Sequence, residues 1–338
     1  MPNGPFRSPW SAGVLCAALL LTSKVTPGTG LTAGPAPITR GGRQVEAARL
    51  MERSLASIKG LRQSQGRPID RALDPNETGI IGDEFTPLTT SLGEVETKRT
   101  STNPAFAALL VNDFLDAGLA RGDAVAVGAS GSFPALIVAT LCAARVLELE
   151  PIVIYSIGAS MYGANLPGFT FVDMLAGLRA DGLLPYHLAA VSAGGDGDRG
   201  AGVLFDENGT ALLAETRRSG LPVVECASLA GNIQRRLRIY EKRSRGRPIR
   251  CYVNVGGASA SFGDTPASLV LANGLVLRLP DVPRSPTRGV VFEFASRGIP
   301  VVHLLHIRGI ARANDLPFDP IPLPPVGAEG VYFRRFGP

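Results

Sequence analysis

The chain has 338 residues, of which 45% are hydrophobic and 19% charged, with a formal net charge of +5 at pH 7. It is too apolar for a disordered polymer, and its charge is too small to imply nucleic acid by itself; no zinc-finger spacing or RNA-binding signature is present. Forty glycines and 27 prolines beside 6% aromatic residues fit many short elements joined by tight turns, in one large α/β domain or two small ones.

Residues 10–22 carry no charge, and the stretch 14–21 resembles a signal-peptide core or a short membrane anchor. The run is shorter than the ~20 residues of a comfortable span. No small-x-small cleavage site follows at once, so an uncleaved or late-cleaved anchor over 1–25 is expected, with a buried helix of the fold as the alternative. The Gly/Pro/Thr-rich tract up to residue 43 reads as a linker. Lys24, Arg40 and Arg43 lie beyond the apolar run and blur the charge rule for orientation. A single anchor with the following domain outside the cytoplasm is the expected placement.

An α/β domain is expected over 44–330, followed by a tail at 331–338. Apolar residues at Val45, Ala48, Met51, Leu55 and Ile58 predict an amphipathic helix over 44–63. Residues 74–92 read as a long loop, a size often found in functional or mobile segments. Asn103-Pro104 marks a helix start, and Gly118 and Gly122 its end. Strands are then expected at 124–128, 152–156, 187–192, 222–225, 250–255 and 299–303. Helices are expected at 133–147, 170–181, 209–219, 228–244, 287–297 and 305–314. This alternation predicts a doubly wound, mainly parallel sheet with helices on both faces. The proline-rich segment 317–325 must be extended.

Three of the strand patterns run into Gly-Ala-Ser, at Gly128-Ala129-Ser130, Gly158-Ala159-Ser160 and Gly257-Ala258-Ser259. Ligands sit at the carboxyl ends of strands in open parallel sheets, so the three copies are expected to meet on one rim. Small residues there let a ligand approach backbone N–H groups, a setting that favours anions. Candidate ligand-binding residues are therefore Gly128, Gly131, Ser160, Tyr162, Asn165, Asn254, Gly257, Ser259 and Ser261. Gly128 to Pro134 is neither a phosphate-binding loop nor a dinucleotide fingerprint. It comes near the G-x-S-x-G nucleophile elbow, but Ser132 stands where the second glycine belongs. Ser132 reads equally as a helix cap.

A serine-type site needs partners: Ser130 or Ser132 as nucleophile, His303 as base and Asp173 as the orienting acid. Asp173 also fits a capping box opened by Thr170, and His303 a core histidine. Asp196 and Asp198 lie in a Gly-rich loop that reads as flexible, with hard-cation binding the alternative. The three histidines make no zinc pattern, and the sequence names no cofactor. Cys16, Cys142, Cys226 and Cys251 form no C-x-x-C pair; the last three read as core residues. The basic stretch Arg235, Arg236, Arg238, Lys242, Arg243, Arg245, Arg247 and Arg250 reads either as a solvated face or as a patch for an acidic polymer or anionic lipid.

Several longer strings are distinctive: residues 74–82, 89–93, 98–104, 131–135 and 158–164. Together they resemble the bacterial family called poly-gamma-glutamate system protein, and the likeness extends over about residues 45–330. The resemblance implies a membrane-tethered accessory protein of poly-γ-glutamate synthesis or export. Its expected partners are the polymer or a γ-glutamyl intermediate, the membrane and the membrane-bound synthase components. It implies no catalytic residues. The alternatives are a serine-type hydrolase or transferase acting on the polymer, and a non-catalytic scaffold of the synthase complex.

Overall fold

The computed structural model describes residues 40–204, 206 and 208–333. The expected anchor at 1–25 lies outside the described residues, as do most of the linker and of the tail. No helix among the described residues is long and apolar enough to cross a membrane. The first helix, Arg40–Ser64 (α1), begins inside the expected linker.

After it come Thr89–Ser91 (β1), Val95–Ser101 (α2) and Ala105–Asp116 (α3). Ala124–Ser130 (β2), Pro134–Val146 (α4) and Glu150–Ser156 (β3) form the first strand–helix–strand unit. Ala159–Ser160 (β4), Phe171–Ala180 (α5), Leu188–Ser192 (β5), Thr210–Arg218 (α6) and Leu229–Ser244 (α7) follow. The second half holds Ile249–Val255 (β6), Ser259–Phe262 (α8), Pro266–Leu269 (α9) and Gly274–Val276 (β7). Val290–Ala295 (α10), Val301–Leu304 (β8) and Ile307–Ala313 (α11) close the order of longer elements.

Six strands form the main sheet in the order β5-β3-β2-β6-β8-β7, parallel except for β7. β2 is buried along its whole length, as a two-sided parallel sheet requires. Its alternate residues serve two layers. Val125, Val127 and Ala129 pack with the apolar faces of α1, α3, α4 and α5, whereas Ala124 and Ala126 pack with α7 and α10. β1 and β4 make a separate parallel pair.

The chain departs from the expected elements mainly in short pieces, among them β1, β4, α8 and α9, which were not expected. Residues 222–225 make only a bridge, Val191 to Val223, because Pro222 has no N–H to give and the run is short. β7 was not expected; its three residues carry no alternation. α2 was not expected either, since Val95 is the only large apolar residue in its seven. Ser132 does not cap α4: the cap position is Phe133, with no side-chain bond, and Pro134 supplies the first turn.

A serine- and lysine-lined cavity at the carboxyl ends of the sheet

Strand order reverses beside β2. From β2 the chain steps outward to β3 and β5, then crosses back to place β6 on the other side of β2. Such a switch point leaves a crevice outside the carboxyl ends of the strands. A cavity of about 300 Å³ lies there. Each Gly-Ala-Ser copy contributes to its wall: Ser130 at the end of β2, Gly158 and Ser160 after β3, and Gly257 to Ser259 after β6. Gly194 to Asp196, after β5, and the connection 90–93 complete it. The N–H groups of Gly257 and Ala258 have no acceptor among the described residues.

The serines are wired together. Ser130 Oγ donates to Ser132 Oγ at 3.1 Å and accepts from the Ser132 N–H at 3.2 Å. Ser132 Oγ in turn accepts from the Ser160 N–H at 3.0 Å. Ser259 Oγ donates to the Gly195 carbonyl at 3.0 Å, tying the β6 loop to the β5 loop.

Lys98, on α2, completes the site and was not among the expected residues. It is 3% exposed. Its Nζ donates to the Ser132 carbonyl and to Ser160 Oγ, both at 2.6 Å, and lies 3.7 Å from the centre of the Phe133 ring. No carboxylate pairs with it among the described residues. Desolvation pushes its pKa from the ordinary 10.5 down to about 7. Among the described residues it is the one basic side chain on the cavity wall. One signal for it existed in composition: only four of the 34 basic residues are lysines, so arginine is the chain's default cation. A lysine can discard its proton when buried, which an arginine cannot.

The remaining expected residues separate into groups. Gly128 lies in β2, where the Tyr252 hydroxyl and Ser261 Oγ fill the space a Cβ would need, so Gly128 and Ser261 serve packing and do not line the cavity. Gly131 holds the turn: its N–H donates to the Ser156 carbonyl at 2.9 Å. Asn165 is fully buried and clamps the long connection, donating to the Asp83 carbonyl at 2.7 Å and to Thr89 Oγ1 at 3.1 Å. Tyr162 adopts positive φ (61°) away from the cavity wall, and burial and Glu84 raise its pKa.

The expected Ser–His–Asp arrangement is not assembled. His303 accepts at Nδ1 from Asn254 Nδ2 at 2.9 Å and stacks on Phe262. Burial lowers its pKa to about 4, so it stays neutral. It bonds to neither Ser130 nor Ser132. Asn254 is correspondingly a buried brace, also donating to the Gly256 carbonyl at 2.8 Å. Asp173 closes a capping box with Thr170 and pairs with Arg218 at 2.6 Å. Asp198 is not in a free loop: it forms a fully buried ion pair with Arg236 at 2.9 Å, and both bond to Ser156 and Ser192. Arg236 therefore leaves the basic surface stretch. No group of three or more His, Cys, Asp or Glu side chains suits a metal ion among the described residues.

No protein-family model matches the chain, and no curated protein or solved structure matches it. Fold and site together define an α/β protein with a ligand-sized cavity at the switch point of an open, mainly parallel sheet.

Proposed function

We propose that the cavity binds a carboxylate-bearing ligand, and that the ligand is a γ-glutamyl unit of poly-γ-glutamate. The protein would then be a membrane-tethered accessory factor of the synthesis or export of that polymer, working beside the synthase components. The observation that carries this reading is Lys98: a buried amine, charged below about pH 7, on a cavity wall with no carboxylate partner among the described residues. Burying an unpaired charge is costly, and an incoming anion relieves the cost. Serine hydroxyls and the unpartnered amides of Gly257 and Ala258 supply donors. The polymer itself comes from the sequence resemblance, since many anions would suit such a wall.

A second basic feature favours a polymer over a single glutamate. Arg235, Arg238, Lys242, Arg243 and Arg245 line a groove of about 670 Å³ beside β5 and α7. None of the five has an ion-pair partner among the described residues. A concave groove admits a flexible anionic chain more readily than a flat bilayer.

The test is calorimetric titration of the full chain with a γ-linked glutamate decamer. Binding that weakens with salt, and weakens about tenfold or more in Lys98→Met, is the expected result. An affinity equal for the decamer and for a neutral γ-linked glutamine decamer would end the proposal.

A further inference from the structure

Ser160 is fixed on the cavity wall through both its backbone and its side chain. It ends β4, which pairs with β1, and its N–H is fixed on Ser132 Oγ. Its side chain lies 2.6 Å from Lys98 Nζ. The other contacts of that amine are the Ser132 carbonyl and the face of Phe133, so among the described residues its only side-chain hydrogen-bond partner is Ser160. Ser130 and Ser132 bond to each other, and their side chains meet no base among the described residues. A hydroxyl on a cavity wall, held by a desolvated amine, is the arrangement of nucleophile and general base in serine–lysine catalysis.

We propose that Ser160 is a nucleophile, that Lys98 is its general base, and that the cavity performs acyl transfer at the γ-amide bond of a γ-glutamyl chain. The substrate rests on the function proposed above; the nucleophile–base pair does not. Ser160 Oγ attacks the γ-carbonyl carbon while its proton passes to the neutral Lys98 amine. The carbon–nitrogen bond breaks, and the Lys98 ammonium returns that proton to the departing amine. Water then attacks the Ser160 ester, giving a proton to Lys98. The ester bond breaks, Ser160 Oγ recovers the proton, and the free γ-carboxylic acid leaves and ionises. An amine in place of water rejoins the chain and makes the same site a transferase. Lys98 is available as a base because burial brings its pKa to about 7.

The test treats the full chain with a fluorophosphonate, which phosphonylates an activated serine with loss of fluoride, and maps the modified peptide by mass spectrometry. Ser160 should carry the adduct, and its labelling rate should rise with pH through about 7. Ser160→Ala should abolish labelling, and Lys98→Met should slow it about 100-fold or more, with circular dichroism showing both variants folded. If Lys98→Met fails to fold, the pH profile of the wild-type protein decides alone. Release of p-nitroaniline from γ-glutamyl p-nitroanilide tests the reaction. An unlabelled Ser160, or labelling that ignores pH between 6 and 8, overturns the pair. Decamer binding without labelling leaves the binding function standing and removes the catalysis. Labelling without decamer binding keeps the pair and removes the γ-glutamyl substrate.

Discussion

Lys98 links the chemistry of the site to the stability of the fold. The native state gives up the Lys98 proton above about 7, whereas an unfolded chain keeps it until about 10.5. Between those values the unfolded state binds more protons, so raising the pH through this window stabilises the protein. Lys98→Met should remove that slope, and melting temperatures of both proteins across pH 6–9 check it; parallel curves would refute it. Arg236 and Asp198 give a contrasting case, a buried pair whose charges answer each other. Removing one partner, as in Asp198→Asn, should cost about 3–5 kcal/mol in denaturant unfolding, because it strands the other charge. The burial of neither residue was legible in the local sequence. Lys98 sits among polar neighbours in Val95–Ser101, and Arg236 in a run of arginines. Burial of a basic side chain depends on which elements lie over it, and no local pattern records that.

Elements were legible where a period repeated. β2, β3, β6 and β8 lie within a few residues of their expected positions, as do α3, α4, α5, α6 and α7. Continuous apolar runs bounded by glycine carried the strands, and caps and prolines the helix starts. The pieces that escaped are short: β1 and β4 pair over two or three residues, too few for a period to show. These two strands position Ser160, so the part of the site set by them was hidden while the Gly-Ala-Ser ends were plain. Asn165 fastens the loop that carries β1. Asn165→Ala should leave buried partners unsatisfied and destabilise the protein by about 1–3 kcal/mol. Hydrogen exchange should show the loss concentrated in residues 82–91; uniform loss across the sheet would contradict a local clamp. Within β2, Gly128→Ala would drive a methyl into the Tyr252 and Ser261 hydroxyls, and overpacking of that kind costs about 1–3 kcal/mol.

For the whole molecule, the alternation of strands and helices was enough to predict a parallel sheet, and the predicted meeting of three strand ends follows from that topology. The basic groove was half legible: the run of arginines showed, but not that Arg236 turns inward while Arg235, Arg238, Lys242, Arg243 and Arg245 line one channel. Arg235→Glu with Arg238→Glu should weaken decamer binding at low salt and change it little at high salt. An unchanged titration at low salt would show the groove to be a solvated face. A far-UV circular dichroism spectrum matching that of the wild type separates lost binding from unfolding in that variant.

Both borders of the main sheet are short among the described residues. On one side β7 runs against the grain of its neighbour for only three residues. On the other, Val223 and Val224 lie along β5, and Val224 N–H donates to the Val191 carbonyl at 2.7 Å. A long bare border invites a second molecule to add its own strand and seed fibrils. Among the described residues this sheet offers its neighbours only short borders, so copies crowded together would adhere chiefly through side chains.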